Sequence, residues 1–304
     1  MLMQILIAIF GLLFFLVGVK ILSAMTPHFI ALNRTNYVSF KNIVLLSFIG
    51  FVLTALTQSS SAVGVIILIF LDKELLSFKQ AASFLVGSNV GTTVSGQIFA
   101  LSVEKLIIPS FLFGTIMLVL STKLRKLKYI GKALISFSLI FIGLEIMGSV
   151  SLYYRENLVR LVETFDSLFQ AFLIGAILTA FCQSSSLIIG ILILLTGKQI
   201  ILPEYATAAV MGLNIGTSTT LLVASLGLSN NGKLGAVFQL VYNSLCALIL
   251  FVGFPIFLDV IGYVSVSPER FVANAHTMFN IFACIALLLF WKYIEKLVRW
   301  IVFN

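Results

Sequence analysis

Long apolar stretches separated by short polar segments run along the whole chain, and this pattern predicts an all-α polytopic membrane protein. The apolar stretches lie at about 5–25, 43–71, 78–102, 106–121, 130–150, 168–196, 203–227, 235–257 and 271–291. Many of them are long enough for a helix to cross a hydrocarbon core of roughly 30 Å. Helices are expected throughout, because every backbone polar group in hydrocarbon needs a hydrogen bond within the protein.

The first four stretches and the next four are copies of one unit. The segment TALTQSSS at 54–61 returns as TAFCQSSS at 179–186, and GSNVGTT at 87–93 returns as GLNIGTS at 212–218. Both pairs are separated by 125 residues, so one offset relates two motifs and indicates a duplication. The predicted units are repeat one at 1–125, repeat two at 126–260 and a terminal helix at 261–304, all within one transmembrane domain, 1–304.

The Gln-Ser-Ser-Ser motifs interrupt apolar stretches near their middle. The arm before the first motif, 43–57, would be roughly 22 Å long at about 1.5 Å per residue, which is too short to cross the membrane. The arm after it is shorter still, so each motif is expected at the tip of a re-entrant helical hairpin. The glycine-rich elements at 87–93 and 212–218 predict a broken helix after each hairpin.

Charge predicts how the two repeats are oriented. Only 10% of the residues are charged, and the net charge of +8 is interpreted as a topology signal rather than as a nucleic-acid surface. If the hairpins re-enter, and Lys20 near the end of the first span is left out, one side of the membrane collects 13 Lys and Arg residues and the other collects 5, whereas single spans would divide them 9 and 9. The positive-inside bias then predicts inverted repeats in the cell membrane, with the N-terminus outside and the C-terminus in the cytoplasm.

Interrupted helices in inverted repeats are typical of transport sites near the middle of a membrane. Helix N-termini offer N–H groups to an anion, and hydroxyl and amide oxygens can bind a dehydrated cation such as Na⁺. The candidate anion ligands are Gln58, Ser59, Ser60, Ser61, Gln183, Ser184, Ser185 and Ser186. The candidate Na⁺ ligands are Gln58, Ser60, Asn89, Thr92, Thr93, Gln183, Ser185, Asn214, Thr217 and Ser218.

With these motifs the chain resembles the type II sodium–phosphate cotransporter family, including its bacterial members. The resemblance rests on the two Gln-Ser-Ser-Ser motifs, the Gly-x-Asn-x-Gly-Thr elements and the segment AHTMFN at 275–280. It implies Na⁺-coupled transport of inorganic phosphate by alternating access, with both Gln-Ser-Ser-Ser motifs at the binding centre and no organic cofactor. It also implies a member without the PhoU-like extension that many bacterial relatives carry.

Several alternatives stay open at this stage. The polar residues could serve helix packing alone. The substrate could also be another small anion, or the coupling ion could be H⁺ instead of Na⁺. An anion channel is a further alternative, whereas an intramembrane hydrolase would need a base, for which His28 and His276 are poor candidates. Lys20 and Glu145 occupy equivalent positions of the two repeats, and we favour membrane-interface roles over an ion pair. Neither an enzyme nor a nucleic-acid partner is expected.

Overall fold

The computed structural model describes residues 2–24, 42–101, 104–122, 127–154, 156 and 167–303, and all regular secondary structure within them is helical. The helices are α1 (Leu2–Ala24), α2 (Ile43–Thr57), α3 (Ser60–Asp72), α4 (Phe78–Phe99), α5 (Glu104–Leu120), α6 (Leu127–Tyr153), α7 (Leu168–Cys182), α8 (Ser185–Gly197), α9 (Pro203–Gly216), α10 (Ser218–Ser225), α11 (Asn230–Val252), α12 (Phe254–Val264) and α13 (Pro268–Phe303). The all-α prediction is confirmed, and His28 lies outside the described residues.

The duplication is visible in the helix boundaries. Helices α2 and α7 differ by 125 at both ends, and so do α3 and α8. The turn between the paired helices is also the same, because Gln58 and Gln183 both adopt the left-handed conformation, with φ of 53° and 54°. At each turn the backbone N–H of the Gln donates to the carbonyl four residues earlier, which closes the preceding helix.

Each pair forms a helical hairpin, because the helix that follows it runs parallel to its first arm. A Cβ atom added to Gly87 would lie 1.8 Å from the carbonyl oxygen of Ser47, and one added to Gly91 would lie 2.6 Å from that of Phe51. Sequence position therefore increases in the same direction along α2 and α4. The chain must return through α3 before α4 begins, so α2 and α3 point in opposite directions.

The predicted break in α4 is wrong. Helix α4 is continuous from Phe78 to Phe99, and the hydroxyls of Thr92 and Thr93 donate to carbonyls one turn earlier within it. Gly87 and Gly91 allow close packing of α4 against α2 rather than unwinding. In repeat two, the corresponding helix is interrupted only at Thr217, whose backbone stays right-handed helical at φ −61° and ψ −26°. A continuous helix keeps its backbone N–H and C=O groups hydrogen-bonded, which avoids the cost of unpaired peptide groups in hydrocarbon.

Helices α1 and α6, which are equivalent in the two repeats, pack antiparallel. A Cβ atom on Gly18 of α1 would lie 2.8 Å from the carbonyl oxygen of Ser136 in α6, and one on Gly143 would lie 2.5 Å from that of Gly11. Gly143 is the counterpart of Gly18, and Ser136 is the counterpart of Gly11, so the offset of 125 exchanges the two contacts. Such exchange is the property of a two-fold interface.

The last helix takes part in the core rather than standing apart from it. Helix α13 packs against α4, α8, α9 and α11, whereas α5 packs mainly against α6. Helix α11, the counterpart of α5, contacts α3 and α4 of the other repeat. The equivalent contacts to α8 and α9 are made by α13, so α13 fills the place that two-fold symmetry would give to α5.

Candidate binding site

The two Gln-Ser-Ser-Ser motifs form the turns of the hairpins and the first residues of α3 and α8. The hydroxyls of Ser59 and Ser184 cap these helices by accepting from the N–H groups of Ala62 and Leu187. The next two serines of each motif lie in the first helical turn, where backbone N–H groups have no partner within the helix. Among the described residues, their hydroxyls form no intramolecular hydrogen bond and are partly exposed. The serines concerned are Ser60, Ser61, Ser185 and Ser186.

Each motif Gln ties its turn to the neighbouring helix. Nε2 of Gln58 donates to the carbonyl of Ala55 at 2.6 Å, and its Oε1 accepts from the hydroxyl of Ser95 in α4. Gln183 repeats the pattern with Ala180 and Thr220. The oxygen and the nitrogen of each side-chain amide are thus both hydrogen-bonded. These bonds hold the two Gln residues in a left-handed backbone conformation that is unfavourable for residues other than glycine.

The two tips approach each other through residues next to these hydrogen bonds. A Cβ atom on Gly64, one turn into α3, would lie 2.7 Å from Leu221, which follows Thr220. A Cβ atom on Gly96, which follows Ser95, would lie 3.4 Å from Ile189, one turn into α8. The two contacts are equivalent, because Gly64 and Ile189 are counterparts and so are Gly96 and Leu221. Among the described residues, however, no hydrogen bond joins the two motifs directly.

A small cavity lies beside the first tip. It is lined by Ser60, Ser61, Leu85, Ser88, Asn89, Thr217, Leu221 and Gln239. The cavity leaves about 10 Å³ for the centre of a water-sized sphere, which is room for about one such sphere. Candidate ligand residues of both repeats therefore surround a space that can hold one ion or molecule about the size of water.

Behind the cavity a network of buried amides connects four helices. Asn89 accepts from Gln239 at 2.7 Å and donates to Asn243 at 3.4 Å. Asn243 donates to the carbonyl of Asn214 at 2.6 Å, and the Asn214 side chain accepts from Asn280 at 3.2 Å. The two predicted asparagines are therefore central to the network, and α11 and α13 supply their partners.

The sequence of most of the chain matches one protein family. The profile of the Na⁺/Pi-cotransporter family matches residues 12–149 and again residues 150–290. The chain belongs to the Na⁺/Pi-cotransporter family. The resemblance inferred from the motifs is thereby confirmed, as is the prediction of a transporter rather than an enzyme. This Na⁺/Pi-cotransporter family member is a multi-pass membrane protein. In the described part of the chain, three helical segments are long and apolar enough to span a bilayer: Leu127–Met147, Pro203–Ser225, which comprises α9 and α10, and Asn230–Val252.

Individual relatives agree with this membership. The uncharacterized protein YqeW of Bacillus subtilis is 31% identical over 261 residues, which cover 82% of this chain and 83% of YqeW. A protein of Escherichia coli K12, named "Putative inorganic phosphate export protein YjbB", is 25% identical over 245 residues, or 79% of this chain. Those residues cover 45% of YjbB, so the chain spans about half the length of that relative. No solved structure matches the chain.

Lys20 and Glu145 do not line the cavity of this family member, whereas His276 lies close to the residues that connect the two tips. Lys20 and Glu145 are both exposed, and they lie near opposite ends of the antiparallel α1–α6 contact, so they do not pair. His276 is buried in α13, with Nδ1 3.7 Å from the position of a Cβ atom on Gly96. Neither ring nitrogen has a hydrogen-bond partner among the described residues.

Sequence reasoning missed several polar residues that bond to or lie beside the candidate site residues. Ser95 and Thr220 could have been found, because they are hydroxyl residues at equivalent positions. Gln239 and Asn243 also give a signal, since two amides four residues apart share one face of an otherwise apolar helix. Asn280 lies outside the duplication, and only the packing of α13 reveals its contact with Asn214.

Proposed function

We propose that the chain is a secondary transporter that moves inorganic phosphate together with Na⁺ by alternating access. The observation that carries this proposal is the pair of equivalent hairpin tips, each with unpaired serine hydroxyls at a helix N-terminus. Membership of the Na⁺/Pi-cotransporter family supports phosphate and Na⁺ as the substrates. The name of the Escherichia coli relative supports phosphate as well.

Phosphate would bind between the two tips. Helix N-termini offer N–H donors and the positive end of the helix dipole to an anion, and α3 and α8 each present one. Hydroxyls of Ser60, Ser61, Ser185 and Ser186 would add donors, while Ser59 and Ser184 keep the helix starts in place. Gln58 and Gln183 already bond to helices of their own repeats, so they would transmit movement of the tips to α4 and α10.

Na⁺ would bind at oxygen atoms near the same tips. The proposed ligands are those predicted from the sequence: Gln58, Ser60, Asn89, Thr92, Thr93, Gln183, Ser185, Asn214, Thr217 and Ser218. A bound cation offsets the charge of the anion, so each ligand should increase the affinity for the other by the same factor. This reciprocity is the physical basis of coupled transport.

Alternating access would follow from inverted repeats at 1–125 and 126–260, with the terminal helix at 261–304. The antiparallel packing of α1 and α6 supports the inversion, and the charge count supports an outside N-terminus and a cytoplasmic C-terminus. Each hairpin would re-enter the membrane from its own side. Rocking of the hairpin-bearing unit against the other helices would then open the site to each side in turn.

Flux into liposomes tests the function. Purified protein should accumulate radiolabelled phosphate when an inward Na⁺ gradient is imposed and should lose this uptake when K⁺ or choline replaces Na⁺. Gln58→Ala and Gln183→Ala should each abolish coupled uptake while the protein stays folded. Uptake of phosphate at an equal rate without Na⁺ would contradict coupling, and stronger competition by sulfate than by arsenate would point to another anion as substrate.

Labelling of two equivalent lysines tests the inversion. Lys73 and Lys198 are counterparts at the ends of the two hairpins, so inverted repeats place them on opposite sides of the membrane. In a cysteine-free background, a membrane-impermeant maleimide should label Lys198→Cys in intact cells, and Lys73→Cys only after permeabilisation. Labelling of both variants from the same side would rule out inverted repeats.

A further inference from the structure

The hydrogen bonds of the buried amide network run in one direction. The backbone carbonyl of Asn214 can only accept, so the bond from Asn243 fixes which end of the Asn243 amide is the donor. Oδ1 of Asn243 must then accept from Asn89, and Oδ1 of Asn89 must accept from Gln239. The chain of bonds thus ends at Oε1 of Gln239, and reversing this amide would break the bond to Asn89.

This last oxygen has no donor. Gln239 is only 3% exposed, and among the described residues no group bonds to its Oε1. A buried acceptor without a partner costs about 1–3 kcal/mol. A polar oxygen that is kept in the interior at this cost therefore points to a ligand that meets it.

The cavity beside Gln239 has the lining and the size for a dehydrated cation. The hydroxyl residues Ser60, Ser61 and Thr217 line it together with the amide residues Asn89 and Gln239, and its lining contains no Lys or Arg. Its volume of about 10 Å³ for the centre of a water-sized sphere is far too small for phosphate. Hard cations prefer such oxygen ligands, and Na⁺ without its hydration shell is no larger than a water molecule.

We propose that Gln239, which lies outside both duplicated motifs, is a ligand of a single Na⁺ in this cavity. The ion would be shared by Oε1 of Gln239, the Ser60 and Ser61 hydroxyls of repeat one and Thr217 of repeat two. Na⁺ would therefore join the first hairpin tip to α9 and α11. This inference rests on the proposed function, because it locates one coupling ion of the transporter.

The residues at the equivalent positions of the second hairpin are different, so the proposed ion is assigned to the first hairpin alone. The counterparts of Ser88 and Leu85 are Leu213 and Val210, which removes one hydroxyl. The counterpart of Leu221 is Gly96, and the imidazole of His276 lies against that glycine. Nitrogen of a histidine ring is a softer ligand than oxygen, and hard cations such as Na⁺ prefer oxygen ligands.

Thermal unfolding of the full-length protein in detergent, without phosphate, tests this site. Raising NaCl at constant ionic strength should increase the Tm of the wild type in a saturable way, and K⁺ or choline should not. In Gln239→Met, the Na⁺ concentration that gives half of the effect should rise about tenfold or more, since one ligand of a charged group is lost. Tyr242→Phe is the matched control, because it removes another unpartnered buried oxygen from the same helix, outside the cavity lining.

A second variant covers the case in which Gln239→Met does not fold. Gln239→Glu keeps one oxygen and adds a titratable one, so Na⁺ binding should become tighter as the pH rises, whereas wild-type binding should not. An unchanged half-effect concentration in Gln239→Met, equal stabilisation by K⁺, or pH-independent binding in Gln239→Glu would each overturn the proposal. If one of these results is found while wild-type phosphate uptake still depends on Na⁺, the proposed function stands and the ion must bind at another place. Loss of Na⁺ dependence in wild-type uptake would instead refute the function itself.

Discussion

The two hairpin tips have nearly the same backbone but different surroundings. Gln58 and Gln183 share a left-handed conformation, a bond to the preceding helix and a bond to a hydroxyl 37 residues later. The first tip is partly buried, whereas Gln183 and its neighbour Cys182 are exposed. The counterpart of Cys182, Thr57, is buried, and its hydroxyl accepts from the N–H of Ser59.

The same contrast continues one turn before the tips. The hydroxyls of Thr54 and Ser88 are 2.6 Å apart, so the buried Thr has a partner. Its counterpart Thr179 has no hydrogen bond in the described part of the chain, and the counterpart of Ser88 is Leu213, which has no hydroxyl. The comparison teaches that duplication preserved the backbone of the site, while substitutions around it made the two halves chemically different.

The contacts that both repeats share should respond equally to substitution, and with the largest effect. In Gly87→Ala and Gly212→Ala the new Cβ atom would lie 1.8 Å from a carbonyl oxygen of the facing helix. The hairpin and the next helix must then separate, which should cost about 3 kcal/mol or more. Both variants should show a strongly reduced Tm in detergent.

Gly227→Ala is the control for these variants, because nothing lies within 4 Å of a Cβ atom at that position. Its Tm should stay at the wild-type value. A large loss in only one of Gly87→Ala and Gly212→Ala would show that the two helix contacts are not equivalent.

Where the contacts of the two repeats differ, equivalent substitutions should change the free energy of unfolding differently. Thr54→Val leaves Ser88 without its buried partner, so it should destabilise the protein by about 1–3 kcal/mol. Thr179→Val removes a hydroxyl that has no partner, so it should be neutral or stabilising. Chemical unfolding of both variants measures the difference, and equal destabilisation would mean that Thr179 has a partner such as a bound water molecule.

The left-handed turns should give the smallest effect, and the same one in each repeat. Gln58→Gly and Gln58→Ala both lose the amide, but only glycine adopts this conformation without strain. The glycine variant should therefore be more stable than the alanine variant by about 1 kcal/mol, and the corresponding variants of Gln183 should differ by the same amount. Unfolding curves of the four proteins test this, and no difference within either pair would mean that the turn relaxes.

The sequence by itself determined the duplicated unit, the helical class and the position of both turns. These features depend on local spacing, because a polar run between two short apolar arms leaves few arrangements that satisfy the backbone. The same reasoning was wrong for the glycine-rich element of α4. Glycine allows both an unwound turn and a close helix contact, and only the neighbouring backbone of α2 decides between them.

Tertiary structure alone decided how the two halves combine. The cavity joins Ser60 and Thr217 from different repeats, and the amide network reaches Asn280 in a helix that the duplication does not include. Helix α13 takes the place that symmetry would give to α5, and no local sequence pattern predicts this replacement. The sequence therefore determined which groups each half presents, whereas packing between the two repeats decided which of them meet and which buried oxygen is left without a partner among the described residues.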